Sequence, residues 1–138
     1  MSENIGNLEK RLMETREKIR TKRREITGGK VEDKIKDMGK RTYEELDKDL
    51  NALHKVALEG KEKAKDKGAV FYDELVTDIS AARTKLKDKR LEITGGVAET
   101  KAKEAAKTIK EKGESALREI EEDIARISEK LRAKSKEE

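Results

Sequence analysis

The stretch KRREITGGKVEDK, Lys22 to Lys34, returns as KRLEITGGVAETK, Lys89 to Lys101, 67 positions further along. In both copies a basic run stops at a glycine pair and a second charged run begins. Glycine just past the end of a helix takes the left-handed conformation that satisfies the last carbonyls without a Cβ clash. Arg20, Lys22, Arg23 and Arg24 precede the first pair, where cations favour the helix dipole, and Glu32 and Asp33 open the following run. Lys87, Lys89 and Arg90 precede the second pair, and Glu99 follows it. Gly28, Gly29, Gly95 and Gly96 therefore read as the turns of two tight αα-hairpins.

Apolar periodicity supports helix on either side of each pair. From Ile5 the slots fall at Leu8, Leu12, Thr15, Ile19, Lys22 and Ile26, in steps of three and four. Adding 67 gives Tyr72, Leu75, Ile79, Ala82, Leu86, Lys89 and Ile93, with lysine again in the same slot. Beyond the first pair the slots are Val31, Ile35, Met38, Thr42, Leu46, Leu50, Leu53, Ala57, Gly60 and Ala64. Beyond the second they include Ala102, Ala105, Ile109, Gly113, Leu117, Ile120, Ile124, Ile127 and Leu131. Both runs make the same three successive steps of four around Leu46 and Gly113, the mark of a four-residue stutter. A shared irregularity points to internal duplication, with residues 1–67 as one helix–TGG–helix repeat and 68–138 as the other.

So narrow a stripe suits the seam of a coiled coil better than the wide face of a globular helix. Between the repeats no N-capping residue follows Gly68, and Ala64, Gly68 and Tyr72 stay in step. The expectation is that helix continues through Gly68. Residues 31–93 would then be a single helix of 63 residues, ~95 Å long. The fold expected is all-α, an elongated antiparallel coiled coil in which the outer helices fold back along the central one. The alternative breaks the chain near Gly68 and packs two hairpins as a four-helix bundle.

Composition limits function. The chain has 138 residues, about one domain, of which 33% are hydrophobic and 48% charged, with one Phe, two Tyr and no Trp. So little large apolar side chain argues against an enzyme with a deep pocket. The absence of cysteine excludes a disulfide framework and a thiolate metal site. No apolar run approaches a membrane span, and the expected location is cytoplasmic. Abundant Lys and Glu beside scarce amide residues resembles thermophile usage.

Individual residues add little chemistry. His54 is the sole histidine and has no companion ligand in sequence. The acidic clusters around Glu44 and Glu121 are interleaved with lysine and read as solvated helix faces. Thr27-Gly28-Gly29-Lys30 lacks the strand, the first glycine and the closing Ser/Thr of a phosphate loop. No catalytic residue, metal or cofactor is expected.

The basic runs before the turns are the one suggestive feature. Arg16, Lys18, Arg20, Lys22, Arg23 and Arg24 form the first, and Arg83, Lys85, Lys87, Lys89 and Arg90 the second. Clustered cations suit a polyanion held by its backbone, at two tips that a rod would place at opposite ends. Residues 1–67 carry 19 basic and 15 acidic groups, and the second half is neutral. The stretch from Thr100 to Ala116 resembles desiccation-protective and apolipoprotein-like helices in composition, but its narrow stripe and balanced charge disfavour membrane insertion. Two expectations follow: a structural, self-associating coiled-coil protein, dimeric or larger, or a sequence-independent nucleic-acid binder acting through its tips.

Overall fold

The three-and-four apolar alternation makes helix wherever the sequence carries it, and small residues decide where the helices approach. The computed structural model describes residues 2–97 and 99–137, with side chains from 5 to 97 and from 99 to 134. Among them about 90% are helical and none forms a strand, so the protein is all-α. α1 is Ser2–Gly28, α2 Glu32–Lys63, α3 Lys67–Asp88 and α4 Arg90–Thr94. α5 is Ala102–Thr108, a single π-helical turn covers Ile109–Gly113, and α6 is Glu114–Glu137. α4 prolongs α3, and α5, the π turn and α6 follow one another without a gap, so the chain makes four rods.

The central helix is not continuous, which corrects the elongated rod. α2 ends at Lys63, Ala64 is extended (φ −82°, ψ 154°), and α3 starts again at Lys67. α3 then packs back along α2. The Lys61 ammonium meets the Asp73 carboxylate at 2.7 Å, and Gly60 lies directly against the ring of Tyr72. In one unbroken helix those two residues would stand ~18 Å apart. Lys18 pairs with Asp49, Arg20 with Glu121 and Lys85 with Asp123, so each rod is also antiparallel to its neighbours in the ring α1–α2–α3–α6. The arrangement is the up-down-up-down four-helix bundle that stood as the alternative. Its longest helix, α2, has 32 residues and spans ~48 Å.

Burial explains the preference. Leu8, Leu50, Leu117 and Ile124 retain 0% of their surface, which a two-stranded seam with open flanks would not provide. In the bundle one narrow stripe is covered from two sides. Burial falls on most of the slots that the periodicity marks, but Val31 is exposed, Met38, Ala64 and Ala102 are half-buried, and Gly39, Ala106 and Ala116 are buried beside the stripe. Lys22 and Lys89, the cations in seam slots, are only half-buried.

The two glycine turns differ. At the second, Gly95 is left-handed (φ 83°) and Gly96 also has positive φ (109°), as the helix-end reading requires. At the first, Gly28 is the last residue of α1, and neither Gly28 nor Gly29 has positive φ. That corrects the expectation of a left-handed cap there. The stutter is also resolved unequally. Gly113 closes the π turn, which absorbs the extra residue, whereas Leu46 sits in regular α-helix.

Two stability outcomes follow from these contacts. A methyl group on Gly60 would overlap the buried Tyr72 ring, so Gly60→Ala should cost about 1–3 kcal/mol. Gly6 lies in α1, and a methyl group there would have nothing within 4 Å, so Gly6→Ala should instead gain up to ~1 kcal/mol. Denaturant titration of both variants distinguishes close approach from helix propensity. In the α2–α3 turn, Asp66 holds φ 54°, a conformation that disfavours a side chain. Asp66→Gly should raise stability by up to ~1 kcal/mol, and a lower melting temperature would show that the Asp66 side chain is needed there.

Candidate functional site

Four antiparallel rods in sequence order place both Thr-Gly-Gly turns at one end of the bundle. Gly39, near the start of α2, lies against the carbonyl of Ile93, and the Lys36 ammonium donates to the carbonyl of Thr100. The two basic runs therefore lie at the same end, on diagonally opposite rods that do not touch, and the expectation of tips at opposite ends is corrected.

Most cations of those runs are turned towards carboxylates. The Arg23 guanidinium holds Glu121 at 2.8 Å and Glu114 at 3.1 Å, and Arg20 reaches Glu121 at 3.0 Å. Glu121 is buried at 8% exposure, so this cluster is shielded from water more than a surface pair. Lys18 meets Asp49 at 2.8 Å, and Lys85 meets Asp123 at 2.7 Å. Lys22 lies 3.9 Å from Glu25, and Lys89 lies 3.6 Å from Glu92 and 4.0 Å from Glu119. The Arg90 guanidinium stands 5.8 Å above the ring of Tyr43. Arg24 and Lys87 are exposed. Arg16 and Arg83, equivalent under the 67-residue offset, both have a buried Nε without a hydrogen-bond partner among the described residues.

Two groups have displaced proton equilibria. The hydrogen bond to Asp49 holds the Lys18 ammonium above its usual value despite burial. Burial, with the Arg83 guanidinium as a second cause, pushes His54 below the usual 6.5. Among the described residues no group of three or more His, Asp or Glu side chains is placed to hold a metal ion.

Sequence reasoning missed another set of cations. Lys30, beside the first turn, and Lys103, Lys107 and Lys110, on α5 and the π turn, line one open groove of about 440 Å³. Its walls also carry Glu32 and Glu111, and its floor is the buried pair Ile35 and Ala106. All four lysines are exposed, and none has a carboxylate within 4 Å among the described residues. The i, i+4, i+7 spacing of Lys103, Lys107 and Lys110 across α5 and the π turn was visible in sequence, but nothing local showed that Lys30 would share their groove. No protein-family model, curated protein or solved structure matches the chain.

His54, well along α2 from the glycine turns, gives the fold a pH dependence. A depressed value means the fold favours neutral imidazole, so stability is complete above about 6.5 and falls as pH drops through it. Between pH 7.5 and 5.5 the wild-type melting temperature should fall more than that of His54→Gln. Equal falls would assign the acid sensitivity to other groups.

Proposed function

We propose that the protein is a non-enzymatic structural module, a stapled helical scaffold that offers its surface for assembly. The observation that carries this reading is the use of its charges. Arg20, Arg23, Lys18, Lys85 and Lys130 bind carboxylates across helix seams, so they fix the rods against one another instead of converging on a reacting atom. The same reading takes the chain as two copies of one hairpin with coiled-coil-like seams. Its support is the coincidence of buried slots and the paired environments of Arg16 and Arg83. A cytoplasmic setting is part of the same proposal. Separately, no helix among the described residues is long and apolar enough to cross a membrane.

Self-association belongs to this reading, through exchange of a hairpin arm at a glycine turn. Gly95 is the better hinge. It needs positive φ, and a Cβ there would meet that of Ala105 at 2.6 Å. A second reading, sequence-independent binding of nucleic acid, is favoured by the unpaired lysines at the hairpin end.

Sedimentation velocity over a wide concentration range tests the assembly role. The wild type should populate a dimer at high concentration. Gly95→Ala should raise the exchanged fraction several-fold, while Gly28→Ala, at a helical position with open space, should leave it unchanged. Strict monomers throughout, with helicity retained, would remove self-association from the proposal.

A further inference from the structure

We propose that the groove between the first turn and α5 is a docking site for the phosphodiester backbone of duplex nucleic acid, held by Lys30, Lys103, Lys107 and Lys110. This inference rests on the second reading above and moves its site away from the basic runs. The cations of those runs are mostly committed to Glu114, Glu121, Asp49 and Asp123, and recruiting them would break interhelical pairs. The four groove lysines are exposed and have no such partners to give up among the described residues.

The shape of the charge selects the ligand. Lys103, Lys107 and Lys110 follow one another by four and three residues, so they form a row on one face, ~10 Å long. Lys30 faces that row across the groove. A point anion such as inorganic phosphate would engage one or two of these ammoniums. A row engages a linear polyanion, and a DNA strand advances only ~3.4 Å per phosphate. No aromatic ring lines the groove, so stacking with unpaired bases has no platform, and a duplex backbone fits better than a single strand. Glu32 and Glu111 share the walls and leave a net charge of +2, which favours weak, salt-sensitive binding without base readout. Val31 and Val97 are exposed nearby, at 52% and 61%, but neither lines the groove, and a flat bilayer does not follow a concave floor of Ile35 and Ala106.

The test is fluorescence anisotropy of the full chain with labelled DNA duplexes of two unrelated sequences, at several salt concentrations. The quadruple variant Lys30→Gln, Lys103→Gln, Lys107→Gln, Lys110→Gln is compared with Arg24→Gln, Lys87→Gln. Wild type should bind both duplexes equally. Its slope of log affinity against log salt should fall by up to ~3.6 in the quadruple variant, since each neutralised phosphate contact contributes ~0.9. Arginine at the same four positions should restore the slope, and circular dichroism should show unchanged helicity in all variants. If wild type binds but the quadruple variant binds equally well, the groove assignment is overturned while nucleic-acid binding stands. If wild type ignores both duplexes, nucleic-acid binding fails and the groove proposal with it. Binding to phosphatidylserine vesicles without duplex binding would likewise overturn it, in favour of a lipid surface.

Discussion

A single narrow apolar stripe on a highly charged chain must be covered from two sides, and everything else in the fold depends on that constraint. With one-third of its residues hydrophobic, the chain cannot fill a thick core. Four stripes turned inward on one another can still exclude water completely, as the near-zero exposure of Leu50, Leu117 and Ile124 shows. Small residues make this possible. Gly60 admits the ring of Tyr72, and Gly39 admits the carbonyl of Ile93 and the side chain of Ile109. Helices bearing larger groups at these places would stand further apart and leave the short Ala57, Ala82 and Ala105 side chains without neighbours.

The helices and their inward faces were legible because they depend on local spacing. Ile19, Leu46 and Ile120 occupy the slots that a period of three and four gives them. The turn at residues 64–66 was not legible. Asp66 stands at the N-cap position of α3 without a side-chain cap hydrogen bond, and Gly68, near which only the alternative placed a break, is a buried residue in the first turn of α3. What decides the turn is a contact made only after the chain has folded back, Tyr72 against Gly60. Its gain is shared by residues twelve apart in sequence, so no window of local pattern contains it. The glycine pairs carry the opposite lesson. Identical Thr-Gly-Gly sequences end one helix with a left-handed residue and the other without one; a Cβ on Gly95 would collide with Ala105, whereas one on Gly28 would meet nothing within 4 Å.

The candidate site divides along the same line. That the basic runs are basic is plain in sequence. That Arg23 spends its charge on Glu114 and Glu121, some ninety residues away, depends on which rods become neighbours. A two-stranded rod would have lined α1 against α2 alone and left Glu121 facing other partners. Lys30 and Lys107 would likewise have been unrelated without the break at residues 64–66, because only the bundle brings both glycine turns to one end.

Charge and topology together give the molecule its polarity. Along the flanks, cations and carboxylates of adjacent antiparallel helices meet in register, and their fields cancel within a Debye length of about 10 Å. In one groove at the hairpin end the balance is uneven. α5 begins there beside a turn that contributes Lys30, and the nearby carboxylates Glu32 and Glu111 are fewer than the lysines they face. A chain whose total charge is only +4 can in this way concentrate uncompensated positive potential at one place. Net charge alone therefore understates what this groove offers to an anion, because the lysines that line it outnumber the carboxylates beside them. The pairs that rigidify the bundle and the lysines left over from them are two results of one arrangement, and weakening the flank pairs would both loosen the scaffold and blur the contrast that marks its basic end.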